Sequence, residues 1–221
     1  MARYYPQIFD RVDLKAAKEI ILTNEGAGAD TETRWALETP YVLSLVEGAL
    51  ALRPDMLVLD YGCGVGRIAK AMIDASGCSV VGVDISADMR RLAKDYVDSD
   101  RFLALSPAQF DTLVARGLRV DAAISVWVLQ HCFAPAQNIA RIRGSLAAGG
   151  SCFVLNMHKR AVPATLEANT ETQKFLWAVD NTDVADLLRT AFSLEAEGSP
   201  QQEGLPNMAD AGAYWMKLRA S

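Results

Sequence analysis

Along the middle of the chain, short apolar runs alternate with stretches whose apolar residues recur at helical spacing. Met56 to Asp60 (MLVLD) reads as a buried strand, and Val65 to Ala75 as a helix. Ser79 to Asp84 (SVVGVD) is a second strand, followed by a helix from Ala87 to about Val97 that Ser86 can cap. Arg101 to Leu105 forms a third strand, with a helix near Ala108 to Ala115. Asp121 to Val126 (DAAISV) forms a fourth, with a helix around Ala136 to Leu146. Gly149 and Gly150 predict a turn, and Ser151 to Met157 (SCFVLNM) a fifth strand. Near-continuous apolar strands joined by helical crossovers predict a parallel sheet covered on both faces. Ligands bind such sheets beyond the carboxyl ends of the strands. Function is therefore sought after Asp60, Asp84, Leu105, Val126 and Met157.

The ends of the chain follow another pattern. Thr39 and Pro40 read as a helix cap and first helical position, opening a helix to about Leu52. Before it lie a helix from Asp10 to Leu22 and a Gly/Ala/Thr-rich link, residues 26–33. After the core, Asn181 to Phe192 reads as a helix, with strands at Ser193 to Glu197 and Ala213 to Arg219. No helical pattern joins those two strands, which predicts an antiparallel pair.

With 221 residues, the chain suits one domain: a helical cap over 1–53, a core over 54–158, a lid insertion over 159–180, and a helix and strand pair over 181–221. A hydrophobic fraction of 51% and a charged fraction of 22% are ordinary for a globular protein. The net charge of −5, with no Lys/Arg cluster to reverse it locally, argues against long nucleic acids as partners. No window approaches the ~20 apolar residues of a membrane span, and no signal-type stretch follows the N-terminus, so a cytoplasmic, membrane-free protein is expected. Cys63, Cys78, Cys132 and Cys152 form no C-x-x-C pair and are expected as reduced, mostly buried thiols.

The segment Val58 to Gly66 (VLDYGCGVG) carries the chemistry. Gly62, Gly64 and Gly66 follow a strand ending in Asp60 and open a helix, whose N-terminus offers amide donors and partial positive charge. A second strand-terminal acid, Asp84, comes 18 residues after Gly66, in VGVDIS. This arrangement resembles motif I and the following acid of the class I S-adenosylmethionine-dependent methyltransferases, most closely the small-molecule branch. The resemblance runs from about residue 55 to 157, through VDAAISVWVLQH and the Gly149–Gly150 pair. It implies a three-layer Rossmann-like α/β sandwich: a mostly parallel seven-stranded sheet with an antiparallel last strand and an N-terminal helical lid. It also implies the cofactor S-adenosylmethionine, leaving as S-adenosylhomocysteine. The glycine loop, with Cys63, would hold the methionine part. Asp84 would accept from both ribose hydroxyls. Ile85 and Met89 would pack near the adenine, with Ser125, Val126 and Trp127 along the same edge. Many relatives also carry an acid after the third strand for the adenine amino group. Here Leu105 to Gln109 (LSPAQ) has none, so Ser106 and the Gln109 amide oxygen, or a main-chain carbonyl, stand in for it.

A nicotinamide-dependent oxidoreductase is the competing reading. Its Gly-x-Gly-x-x-Gly fingerprint meets Arg67 or Ala69 at the third glycine here. Asp60 before the loop and the antiparallel final strand favour methyl transfer. A non-catalytic cofactor-binding sensor or partner subunit is a further alternative.

A protonated acceptor needs a base. His131 follows the fourth strand and His158 the fifth, both at the ligand-binding edge, and they are the only histidines. Asn/Asp-Pro-Pro-aromatic, Pro-Cys and metal-holding carboxylates are all missing after the fourth and fifth strands, so no metal is expected. A small-molecule acceptor with oxygen, nitrogen or carbon as the methylated atom remains. Tyr4, Tyr5, Arg34, Trp35, Gln130 and Trp177 are candidate substrate contacts, from segments that could cover the sheet edge: the N-terminal stretch, the 159–180 insertion and the 199–212 loop. Monomer and homodimer both remain open.

Overall fold

Val, Ile and Leu runs with no polar face can be buried only between two layers. The computed structural model does this with a seven-stranded sheet of order β4-β3-β2-β5-β6-β10-β9. It describes residues 2–22, 30–166, 175–178, 180–201 and 212–220, without the side chains of 2–3, 165–166 and 175–177. Strands β2 (Leu57–Tyr61), β3 (Ser79–Val83), β4 (Phe102–Leu105), β5 (Val120–Val126) and β6 (Leu146–Met157) pair in parallel. β10 (Ala213–Arg219) runs antiparallel to both β6 and β9 (Ser193–Gly198). The helices between them are α3 (Arg67–Ser76), α4 (Ala87–Val97), α5 (Pro107–Ala115) and α6 (Pro135–Ser145), with α7 (Val184–Ala191) before β9. One apolar cluster joins α5, α6 and α7 to one face of the sheet. A second joins α2 (Thr31–Leu50) and α3 to the other. This is the expected Rossmann-like architecture.

Three expectations are corrected. The Gly149–Gly150 pair does not separate a helix from a strand. β6 runs through it, and the β5–β6 register slips between the Val120–Leu146 and Ala122–Ser151 pairs. Gly149, at φ +71°, takes up the irregularity. Second, Thr39 and Pro40 do not start a helix. α2 begins at Thr31, capped by Asp30, whose side chain accepts from the Thr33 amide at 2.7 Å. Pro40 lies inside it, where its missing N–H falls on the solvent side, and the Thr39 hydroxyl donates to the Trp35 carbonyl at 2.5 Å. The predicted link over 26–33 is thus helix from Thr31; residues 26–29 lie outside the described residues. Third, the helix expected from Asp10 is a 3-10 turn at Pro6–Phe9 and then α1 (Leu14–Ile21), capped by Asp13.

A second sheet was not foreseen. β1 (Ala2–Tyr4) pairs with β7 (Val162–Leu166), which pairs with β8 (Phe175–Ala178), all antiparallel. It joins the N-terminal segment to the 159–180 insertion. The segment is further tied to the start of α4: the Ser86 hydroxyl donates to Asp10 Oδ1 at 2.7 Å, and Arg91 donates to the Val12 carbonyl at 2.9 Å. No helix among the described residues is long and apolar enough to cross a membrane.

Candidate active site

The carboxyl ends of β2, β3, β5 and β6 open into one cavity of about 970 Å³, and the N-terminal segment closes its other side. The loop after β2 turns through three glycines in the left-handed region: Gly62 at φ +84°, Gly64 at +54° and Gly66 at +79°. A Cβ on Gly62 would stand 2.3 Å from the Val128 side chain, and one on Gly66 would stand 2.4 Å from that of Val97. These glycines therefore serve packing as well as the turn. Most loop amides are bonded inside the protein. Gly62 and Cys63 donate to the Val83 carbonyl at 2.7 and 3.1 Å, and Gly66 donates to Cys63 O at 2.8 Å.

Asp84 stands half-buried at the cavity wall. Its Oδ2 accepts from the Gly64 amide and its Oδ1 from the Ser86 amide, both at 2.9 Å. Burial raises its pKa, and those two amides oppose the rise. Asp60 is buried beneath the loop, and its pKa is pushed up to about 7. Burial is the main cause and the Asp84 charge adds to it; Arg67 and the Ala69 amide pull the other way. Next to it lies a buried ionic cluster. Arg34 Nε pairs with Glu38 Oε1 at 2.7 Å, and the Arg67 guanidinium lies over the Trp35 ring at 5.3 Å. Burial lowers the Arg67 pKa to about 10, while the Glu38 charge supports it. Arg34 and Arg67 both reach the cavity wall.

At the end of β5 the backbone turns sharply. Trp127 sits at φ +61°, a conformation bulky residues rarely adopt, costing on the order of 1–3 kcal/mol. It is held there by its amide, which donates to the Leu155 carbonyl at 2.8 Å. The turn presents Val128, Gln130 and His131 to the cavity. His131 Nδ1 lies 2.6 Å from the Ala161 carbonyl; a carbonyl only accepts, so Nδ1 carries the proton. Gln130 Oε1 accepts from the Met157 amide at 3.0 Å, which turns the Gln130 Nε2 toward His131 Nε2 at 3.3 Å. His131 Nε2 is thus an acceptor. Burial lowers the His131 pKa, so the ring is held neutral; the Ala161 bond works against this.

Residues 59–154, the segment carrying this loop, both acids and the β5 turn, match the family described as "Methyltransferase domain". This segment is similar to methyltransferase domains. The match spans residues 59–154 and leaves both ends of the chain outside it. The chain is 32% identical over 107 residues to the tRNA U34 carboxymethyltransferase of Methylococcus capsulatus, covering 48% of this chain and 33% of that protein. It is 38% identical over 107 residues to the ribosomal protein L11 methyltransferase of Methylobacillus flagellatus, covering 45% and 34%. The chain thus spans about a third of the length of these relatives. A geranyl diphosphate methyltransferase solved in complex with SAM superposes with a TM-score of 0.62 at 13% identity, covering 99% of this chain and 98% of that one. At that identity the likeness is one of fold. The cofactor of such a domain is S-adenosylmethionine.

Of the expected residues, Asp60, Gly62, Cys63, Gly64, Asp84, Ile85, Met89, Val126 and Trp127 all line the cavity, with Tyr4, Arg34, Gln130 and His131. Other expected residues do not. Gly66 caps α3 from the left-handed region. Ser106 and Gln109 close a capping box on α5: Ser106 Oγ accepts from the Gln109 amide, and Gln109 Oε1 from the Ser106 amide. The Gln109 oxygen is therefore turned to its own helix; Pro107 faces the cavity instead. Ser125 is fully buried below the cavity, its hydroxyl without a partner among the described residues. His158 is exposed and packs on the Tyr214 ring, with centroids 4.5 Å apart. Tyr5 donates its amide to Pro163 O beside the β1–β7 pairing. Trp35 is buried against Tyr96 and donates to its hydroxyl at 3.1 Å. Trp177 pairs with Pro163 in β8, and its side chain lies outside the described residues, as does most of the 199–212 loop.

Sequence reasoning missed Phe9, Ile21, Tyr61, Arg67, Val128, Phe133 and Lys159, which also line the cavity. Tyr61, Arg67 and Val128 adjoin the motif residues and were within reach of it. Phe9 and Phe133 meet there only through the tertiary fold. The thiols lie as expected: Cys63, Cys78 and Cys152 are buried, and burial pushes the half-buried Cys132 up to about 12, leaving it protonated. Among the described residues, no group of three metal-ligating side chains forms a site.

Proposed function

We propose that this chain transfers a methyl group from S-adenosylmethionine to a small-molecule acceptor. The observation that carries the reading is the direct junction of the glycine loop with Asp84 at the wall of one deep cavity. The residues present fit the cofactor. Asp84 keeps unused lone pairs for ribose hydroxyls, and Ile85, 51% exposed, offers an apolar face beside it. The loop amides at Gly62, Cys63 and Gly64 are already bonded, so the tail carboxylate falls to the Arg34 and Arg67 guanidiniums, with Asp60 facing the tail ammonium. Bound S-adenosylmethionine supplies an electrophilic methyl group on a sulfonium leaving group. Around it, the N-terminal segment excludes water, and His131 Nε2 stands ready to take a proton.

A cavity of this size holds a cofactor and a small acceptor. The strapped N-terminal segment and the net charge of −5 support the same choice over a nucleic acid. The relatives named for tRNA and ribosomal protein support a macromolecular acceptor as the second reading. Calorimetry with S-adenosylhomocysteine, then labelled methyl transfer to a small-molecule panel, total tRNA and ribosomal protein, separates the two. Absence of binding at millimolar ligand would sink the cofactor assignment. Label on tRNA or protein alone would sink the small-molecule assignment.

A further inference from the structure

Resting on that reading, we propose that the acceptor is a flat hydroxyaryl carboxylic acid. Its ring lies against Tyr4, Phe9 and Phe133, its hydroxyl meets His131 Nε2, and its carboxylate meets Lys159.

Three observations converge on the part of the cavity lined by His131 and Phe133. The first is aromatic lining drawn from separate parts of the chain. Tyr4 and Phe133 have ring centroids 5.5 Å apart, and Phe9 and His131 lie 6.2 Å apart. Phe133 is 69% exposed although it borders the cavity. An apolar ring left in water at a cavity mouth is covered at a gain of roughly 25 cal/mol per Å² by a ligand with an apolar face. Flat rings stack or meet edge-on with such walls.

The second is charge. Arg34 and Arg67 are compensated by Glu38 and Asp60. Lys159 lines the cavity two residues before Ala161, whose carbonyl holds His131, and it makes no ion pair among the described residues. The Asp84 charge also reaches Tyr4, but Asp84 is held by the Gly64 and Ser86 amides. A cation without an ion pair beside His131 selects an anionic group on the ligand and disfavours an amine.

The third is the His131 tautomer. Nδ1–H is fixed on the Ala161 carbonyl, so Nε2 presents a lone pair. Its contact with the Gln130 amide is long, at 3.3 Å, and yields to a better donor. An aryl hydroxyl, with a pKa of about 10, is within reach of so weak a base once methylation begins; an alkyl hydroxyl is much further away. The balance closes: a hydroxyl lone pair forms the new O–CH3 bond, the S–CH3 pair leaves on sulfur, and the hydroxyl proton goes to Nε2.

The test uses the full chain saturated with S-adenosylhomocysteine, a complex that cannot turn over. 4-Hydroxybenzoic acid, phenol, benzoic acid, benzylamine and cyclohexanecarboxylic acid are titrated in by calorimetry. The hydroxy acid is expected to bind tightest. Lys159→Ala should weaken both aromatic acids about fivefold and leave phenol unchanged. Phe133→Ala should weaken every aromatic ligand. His131→Asn should weaken the hydroxy acid but not benzoic acid, and lose methyl transfer to the hydroxy acid from S-adenosylmethionine. Tighter binding of the amine or the non-aromatic acid overturns the proposal. So does an equal effect of Lys159→Ala on acid and phenol. Failure of every aromatic ligand while S-adenosylhomocysteine binds overturns this inference alone. Failure of S-adenosylhomocysteine itself overturns the reading beneath it as well.

Discussion

The main-chain amide of Gly64 donates to Asp84 Oδ2 over 2.9 Å. The loop after β2 and the carboxylate after β3 thus brace each other across two neighbouring strands. The Ser86 amide holds the second carboxylate oxygen at the same distance. Asp84 is part of the loop's scaffold as well as the proposed ribose contact, and its substitution should be felt in both roles.

Asp84→Ala leaves two amides without their acceptor. The unliganded protein should lose about 1–3 kcal/mol of stability, read as a lower melting temperature. Affinity for S-adenosylhomocysteine should fall at least about tenfold by calorimetry. Unchanged affinity would remove Asp84 from the cofactor site.

Asp60→Asn should separate stability from binding. Folding raises the Asp60 pKa from its ordinary 3.8 to about 7. The folded state therefore holds this proton more tightly than the unfolded state does. The associated stability is complete below about pH 3.8 and is lost as pH rises to about 7. Removing the charge should make the variant more stable than the parent at pH 8, by on the order of a few kcal/mol, and equal to it near pH 4. The same variant should bind S-adenosylhomocysteine more weakly at pH 8. Denaturant melts at the two pH values, with calorimetry, check both effects.

Gly62→Ala places a Cβ 2.3 Å from Val128 in a backbone at φ +84°. We expect a loss of about 2–4 kcal/mol from clash and backbone strain together. Adding Val128→Ala removes the 2.3 and 2.5 Å contacts but keeps the residue-128 Cβ at 2.9 Å, so it should recover part of the loss and leave at least about 1 kcal/mol of strain. Melts of the single and double variants test this split; no recovery would mean that the backbone conformation dominates.

His131 must be neutral to accept a proton, and burial lowers its pKa below the ordinary 6.5. At saturating S-adenosylmethionine, which removes the Asp60 effect on cofactor binding, kcat should rise with pH and reach half its plateau below pH 6.5. His131→Asn should remove that limb and lower kcat about 10²-fold or more. A pH-independent kcat in the parent would exclude His131 as the base.

Much of the architecture was legible in the sequence because the core strands are apolar on both faces. The β2 to β5 runs, the Ser86 cap and the antiparallel β9–β10 pair follow from local pattern. The helix start at Thr31 was hidden because Thr39–Pro40 mimics a cap while Asp30 provides the real one. Gln109 was misplaced because capping-box geometry and ligand contact draw on the same amide oxygen. The β1–β7–β8 sheet left no signal: β1 is three residues long, and its partner lies at the far end of the core.

Local sequence determined the strand-turn-helix at Gly62 to Gly66 and the two strand-terminal acids, since backbone turns and carboxylate placement depend on near neighbours; the cofactor followed from the resemblance those residues carry. Tertiary structure alone decided which His faces the cavity, which amides are already bonded, and which aromatic rings meet Phe133. Those outcomes depend on contacts such as His131 with Ala161 and Asp10 with Ser86. Such contacts join segments far apart in the chain, and no pattern within one segment can encode the partner that another will bring.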